Sequence, residues 1–267
     1  MIKVSNLYKF FDGREILHDI SLEFEQGKTN LIIGQSGSGK TVLMKCLIGL
    51  YQAEQGAILY DGRDFDRLAK KERNLILQEM GVLFQGSALF DSMTVEENVM
   101  FPLTMFSQNT QSEKEERVNF CLQRVNLENV NDLYPSQLSG GMKKRVAIAR
   151  AIALNPKYLF CDEPNSGLDP KTSLIIDQLI YEITQEFGIT TVVNTHDMNS
   201  VMEIGDTVSF IYEGKLWWRG SNKEILGAEN KEVHDFIYAS KYAQEMYGAE
   251  SRKRTSRKQK AESNKNE

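Results

Sequence analysis

Gly34-Gln35-Ser36-Gly37-Ser38-Gly39-Lys40-Thr41 has the spacing G-x-x-x-x-G-K-[ST]. In such a loop successive backbone N–H groups converge on an anion, the lysine adds a point charge and the hydroxyl can ligate Mg²⁺. That chemistry suits a nucleoside triphosphate. Much later, Leu138-Ser139-Gly140-Gly141-Met142 is a second glycine-rich turn that opens a helix. It offers the same N–H logic at a helix start, but no lysine follows its glycines in the phosphate-loop pattern. A half-site of that kind suggests that it completes a nucleotide pocket begun on another subunit.

Three further groups end apolar runs. Asp162 and Glu163 follow Tyr158-Leu159-Phe160-Cys161, where an open parallel sheet presents its strand ends to a ligand. Asp162 suits a role in holding Mg²⁺, and Glu163 can polarise an attacking water. A solvated acidic pair is the plain alternative, and the phosphate loop in the same chain favours the chemical one. His196, in Asn194-Thr195-His196-Asp197, falls on the same edge and can contact a γ-phosphate, although a lone histidine is more often an ordinary surface group. Gln85, after Val82-Leu83-Phe84, can reach Mg²⁺ or water.

These groups need a sheet behind them. Thr29-Asn30-Leu31-Ile32-Ile33 runs into Gly34, and Val42 to Ile48 continues as a helix, the strand, loop, helix context that the motif requires. With Val82-Leu83-Phe84, Tyr158 to Cys161 and Thr191-Val192-Val193, separated by helical stretches such as Leu174 to Phe187, the continuous hydrophobicity predicts strands buried on both faces of a parallel sheet. Ala57-Ile58-Leu59-Tyr60 before Asp61-Gly62, and Val208 to Tyr212 before Glu213-Gly214, read as hairpins of an antiparallel layer near the core. From Gly86 to Arg150 the pattern is mostly helical, with Val118, Leu122 and Val125 at helical spacing. The expected organisation is an α/β nucleotide-binding core over residues 1–85 and 151–248, a helical subdomain over 86–150, and a disordered basic tail over 249–267 carrying Arg252-Lys253-Arg254 and Arg257-Lys258.

Composition narrows the function classes. The chain has 267 residues, 41% hydrophobic and 26% charged, with a formal net charge of −5, which argues against a dedicated nucleic-acid binder. No segment approaches the roughly 18 apolar residues of a membrane span, and Met1 to Asn6 does not open a signal peptide, so a cytoplasmic location is expected. Cys46, Cys121 and Cys161 are far apart within apolar runs and read as reduced packing residues.

Phosphate loop, Gln85, Leu138 to Met142, Asp162-Glu163, Ser166-Gly167-Leu168-Asp169 and His196 occur in an order and spacing that resembles the ATP-binding cassette family, over roughly Met1 to Trp218. The resemblance implies a P-loop NTPase core with a mostly parallel sheet, an antiparallel layer and an inserted helical signature subdomain. It implies ATP and Mg²⁺ as ligands and ATPase activity. Ser139, Gly140 and Gly141 then take the signature position and Asp169 the loop after the acidic pair. Phe11, ahead of the first strand, matches the aromatic that stacks on adenine; a core aromatic is the alternative reading. Leu83 to Val99, Phe101-Pro102-Leu103 and Met142 look like the ATPases of phospholipid-trafficking transporters that work with MCE proteins. Asn165 departs from the Thr or Phe more usual there.

Through the resemblance, the expected unit is a head-to-tail homodimer that closes on ATP and drives a separate multi-span permease from the cytoplasmic face of the inner membrane. A groove near Gln85 and the Gly86 to Asn98 segment would receive the permease. Another cargo, such as an amino acid or lipoprotein, is the alternative. A non-transport ATPase acting on ribosomes or DNA is disfavoured by the single motif set and by the absence of sustained heptads between phosphate loop and signature.

Overall fold

The protein is described by a computed structural model, which describes residues 1–238. The basic tail from Ala249, and the last residues assigned to the core, lie outside the described residues. Met1–Asn222 form one compact unit and the chain from Lys223 a second.

In the first unit the chain runs β1 (Ile2–Phe11), β2 (Arg14–Phe24), β3 (Thr29–Ile33), α1 (Lys40–Leu47), β4 (Gln55–Tyr60), β5 (Arg63–Asp64), α2 (Lys70–Gln78) and β6 (Met80–Leu83). Three helices follow: α3 (Val95–Phe106), α4 (Gln111–Arg124) and α5 (Gly140–Ile152). The core resumes with β7 (Tyr158–Asp162), α6 (Pro170–Phe187), β8 (Thr190–Thr195), α7 (Met198–Ile204), β9 (Thr207–Tyr212) and β10 (Lys215–Gly220). The second unit carries α9 (Lys231–Ile237), preceded by the short α8 (Asn222–Ile225), and Asn230 caps α9 through its Oδ1, which accepts from Val233 N at 3.1 Å.

Six strands form a sheet in the order β10-β9-β3-β8-β7-β6, in which only the β9–β10 pair is antiparallel. All five residues of β3 and all six of β8 are buried, the burial expected of strands covered on both faces. The parallel register pairs Ile33 with Thr195, Asp162 with Asn194 and Leu83 with Cys161. The ends of β3, β8, β7 and β6 therefore come out side by side, and each carries one of the chemical motifs.

The second sheet is antiparallel, in the order β2-β1-β4-β5. One face packs Ile2, Val4, Leu7, Leu22 and Ile58 into a core shared with Leu43 and Leu47 of α1 and with Phe160 and Val192 of the larger sheet. Two expectations need correction. The Val208 to Tyr212 hairpin does not belong to this layer: β9 lies in the larger sheet between β3 and β10, parallel to β3, and its four central residues are buried, as in a strand covered on both faces. Phe11 is not ahead of the first strand but is the last residue of β1.

The helices between β6 and β7 start from side-chain caps. Thr94 accepts from Glu97 N at 3.2 Å while Glu97 accepts from Thr94 N at 2.8 Å, a reciprocal cap. Val118, Cys121 and Leu122 are the buried face of α4. All three cysteines are buried and reduced, and burial pushes their thiols up, Cys46 to about 12 and Cys121 to about 11, so they are inert at neutral pH.

Candidate nucleotide site

The loop from Gly34 to Thr41 joins β3 to α1, and the surrounding backbone requires its glycines. A Cβ on Gly34, whose φ is +150°, would meet the Ile211 carbonyl oxygen at 2.2 Å; one on Gly39, at φ +106°, would meet Leu17 Cδ2 at 2.9 Å. Lys40, 7% exposed, folds over the loop and donates to the carbonyls of Gly34 at 2.8 Å and Gln35 at 3.0 Å. Burial lowers its affinity for the proton, and the carboxylates of Glu163 and Asp162 act in the other direction. Ser38 Oγ is buried without a partner, while Gln35, Ser36 and Gly37 are exposed. A loop whose Gln35, Ser36 and Gly37 are exposed around a buried lysine suits a polyphosphate.

Asp162 ends β7 with its Oδ1 held by Asn194 Nδ2 at 3.0 Å. Thr41 Oγ1 lies 3.4 Å from the same carboxylate oxygen. Two hard oxygen donors facing each other fit Mg²⁺, which is commonly held by one or two protein oxygens together with substrate phosphates.

Glu163 is left-handed, with φ 48°, a conformation that costs a residue other than glycine on the order of 1 kcal/mol and persists only where its surroundings enforce it. Here its N–H donates to the Asn194 carbonyl at 3.0 Å and its carbonyl accepts from Ser166 N at 3.1 Å. The turn delivers Glu163 Oε2 to 2.8 Å from Nδ1 of His196, itself largely exposed at the end of β8. Gln85 follows β6, and its Nε2 donates to Ser166 Oγ at 3.3 Å. Lys40, Thr41, Gln85, Asp162, Glu163 and His196 are thus gathered along one sheet edge.

Ser139, Gly140, Gly141 and Asp169 are not part of that edge constellation. Ser139 caps α5, its Oγ accepting from Met142 N at 3.2 Å. Asp169 caps α6, accepting from Lys171 N and Thr172 N at 3.1 Å each. With Gly167, Leu168 and Thr172 these four residues line a separate depression at the start of α5. Phe11, 37% exposed, stands edge-on to Tyr51 with ring centroids 5.1 Å apart. Lys9 Nζ lies 4.9 Å from its ring centre, held by Glu54 at 2.7 Å.

Residues 17–166 match the family model described as ABC transporter. The chain belongs to this family. The methionine import ATP-binding protein MetN of Campylobacter jejuni is 37% identical over 92% of this chain and 78% of its own length. The probable ribonucleotide transport ATP-binding protein mkl of Mycobacterium leprae is 36% identical over 88% and 68%. Among solved structures, cbiO1 of Clostridium perfringens, part of the ABC transporter complex cbiONQ, superposes with a TM-score of 0.80 at 31% identity, covering 92% of this chain and 98% of that one. A dimeric post-hydrolysis state of the cassette MJ0796 bound to ADP and phosphate gives 0.76 at 31% identity, over 83% and 99%. This ABC ATPase subunit accordingly has the cassette fold, and among its described residues no helix is long and apolar enough to cross a membrane.

The ABC cassette also fixes the segment after Gln85 from α5. Lys144 donates to the Gln85 carbonyl, and Arg150 donates to the carbonyls of Ser87 and Ala88 at 2.8 Å each. Ser87 and Ala88 are both left-handed, at φ 63° and 47°. Beside them Phe84, Ala88, Phe90, Phe101, Pro102 and Phe106 line an apolar groove, with Phe90 and Phe101 rings 4.9 Å apart and Leu89 half-buried. Sequence reasoning passed over Lys144, Arg150 and the orienting role of Asn194. Lys144 was detectable, since it shares a helix face with the apolar Ala147, Ile148 and Ala151.

Proposed function

We propose that this ABC ATPase subunit closes on ATP as a head-to-tail homodimer, each nucleotide lying between one copy's phosphate loop and the other copy's Ser139-Gly140-Gly141 turn. The observation that carries this reading is the separation of the two anion-binding features. Lys40, Asp162 and Glu163 share one edge, while the turn that opens α5 lines its own depression with Asp169. Two such half-sites are completed by a two-fold pairing.

In this assignment Lys40 and the loop N–H groups of residues 34–41 bind the phosphates, and Phe11 stacks on the base. Thr41, Asp162 and Gln85 hold Mg²⁺, which when bound supplies charge neutralisation on the phosphates. Glu163 accepts the proton of the attacking water, and His196, 2.8 Å away, orients that carboxylate and contacts the γ-phosphate.

The groove lined by Phe84, Phe90 and Phe101 supports docking of a separate multi-span permease, which would hold this subunit on the cytoplasmic face of the inner membrane. The resemblance of Leu83 to Leu103 and Met142 to phospholipid-trafficking ATPases favours phospholipid cargo with an MCE-type lipid-binding partner. The methionine import relative favours an amino acid as the second reading. Purification of the complex from native membranes separates them: a permease, an MCE protein and bound phospholipid are expected, whereas a permease with a soluble-solute receptor, or recovery with ribosomes, overturns the lipid assignment.

A further inference from the structure

Asp177 lies on α6, is 1% exposed, and pairs with no cation among the described residues. Its Oδ2 accepts from Ser200 Oγ at 2.8 Å, and Ser200 Oγ accepts from Asn165 Nδ2 at 3.1 Å. The order amide, hydroxyl, carboxylate is directional, because the hydroxyl spends its single proton on Asp177 and so presents a lone pair to Asn165. Asp177 Oδ1 and Asn165 Oδ1 are both buried and unpartnered. A buried carboxylate without a cation costs folding free energy, and an apolar residue on α6 would serve packing better. What it holds is therefore informative. Asn165 follows Glu163 by two residues, in the turn that keeps Glu163 left-handed. Ser200 follows His196 by four, on α7, the helix that begins where β8 ends.

We propose that Asn165, Ser200 and Asp177 form a buried relay that positions the Glu163–His196 pair by tying the turn after the base to the helix after the histidine. Asp177 is a positioning residue: buried on α6, it acts through Ser200 and Asn165 on a contact of 2.8 Å. Misplacement of a catalytic group by about 1 Å costs on the order of 10²-fold in rate, so slackening one link of this relay is expected to cost about tenfold. The relay rests on the assignment of Glu163 and His196 given above.

The test is steady-state ATP hydrolysis by the full-length protein, with affinity for a non-hydrolysable ATP analogue and the urea midpoint measured on the same samples. Asp177→Leu, which removes the acceptor and keeps the branched four-atom outline, is expected to lower kcat about tenfold with analogue affinity and KM within twofold. Asp177→Asn keeps an acceptor oxygen for Ser200 and is expected to stay within about threefold of the parent kcat. Ser200→Ala breaks the same relay from α7 and carries the expectation for Asp177→Leu should that variant not fold. Parent kcat in Ser200→Ala or Asp177→Leu, alongside an inactive Glu163→Gln, overturns the relay alone. Parent turnover in Glu163→Gln overturns the base assignment and the relay with it. A fall in affinity equal to the fall in kcat reduces the three residues to packing and also overturns it.

Discussion

Replacing Asp177 by Asn should stabilise the protein, and only where the native carboxyl is ionised. Burial raises its pKa from 3.8 to about 6, Asp197 and Glu203 add to the shift, and the hydrogen bond from Ser200 opposes it. The native state therefore binds this proton more tightly than the unfolded chain does. Its contribution to stability is fully present below about pH 4 and is lost as the pH rises through about 6. A shift of about 2 units corresponds to ~3 kcal/mol, a large share of the 5–15 kcal/mol typical of a folded domain. Asn is neutral throughout and keeps the acceptor. Urea unfolding of both proteins between pH 4.5 and 8, with the midpoint difference multiplied by a common slope, should give near-equal stabilities at the acid end. By pH 7.5 the variant should be ahead by about 2–3 kcal/mol. A difference that does not vary with pH, or a parent protein that is the more stable at pH 7.5, refutes the reasoning.

Lys40→Ala should fold normally and lose roughly 10–100-fold in ATP affinity, the worth of one charge-assisted contact at 1.5–3 kcal/mol, read by nucleotide titration. Glu163→Gln should bind ATP but turn it over 10²–10⁴-fold more slowly, the range for a general base, and should accumulate as a dimer with Mg-ATP in sizing experiments; a monomer with parent turnover removes both roles. Ser139→Arg should bind nucleotide as a monomer and fail in turnover, and mixing it with Lys40→Ala should recover part of the activity, since one site of the mixed dimer carries neither lesion; a mixture no more active than either parent variant counts against pairing in trans. Phe90→Ala should weaken permease association by about 2 kcal/mol, the threshold of an interface hot spot, while ATP affinity stays unchanged in the same preparation.

The larger sheet was legible because strands covered on both faces read as continuous apolar runs. Thr29 to Ile33 matches β3 residue for residue, and Tyr158 to Cys161 is β7 less its last residue. The two long strands of the antiparallel layer were not legible. β1 buries Ile2, Val4, Leu7 and Lys9, so its spacing slips from two to three where the register with β2 shifts between Val4 and Leu7. A bulge of that kind erases the alternation by which a half-covered strand is recognised. The strand ending at Tyr212 misled for the opposite reason: Val208, Phe210 and Tyr212 are set off by the polar Ser209, yet Ser209 and Ile211 are buried as well. At the site, motif spacing located the phosphate loop and the acidic pair, since local backbone dictates both. Asn194 and the Asn165–Ser200–Asp177 relay act between residues far apart in the chain, and nothing in local composition marks them.

Helix α5 begins at Gly140 and carries Lys144 and Arg150, which grip the carbonyls of Gln85, Ser87 and Ala88. At 1.5 Å per residue its 13 residues make a rod about 20 Å long. A rod of this kind is intolerant of changes in length. One residue inserted between Met142 and Lys144 would turn every later side chain by about 100° about the axis, taking both grips off the loop while leaving all the motifs intact. The count from Ser139 to Arg150 is fixed by rotation alone, in the way that the pitch of a screw fixes which thread meets the nut.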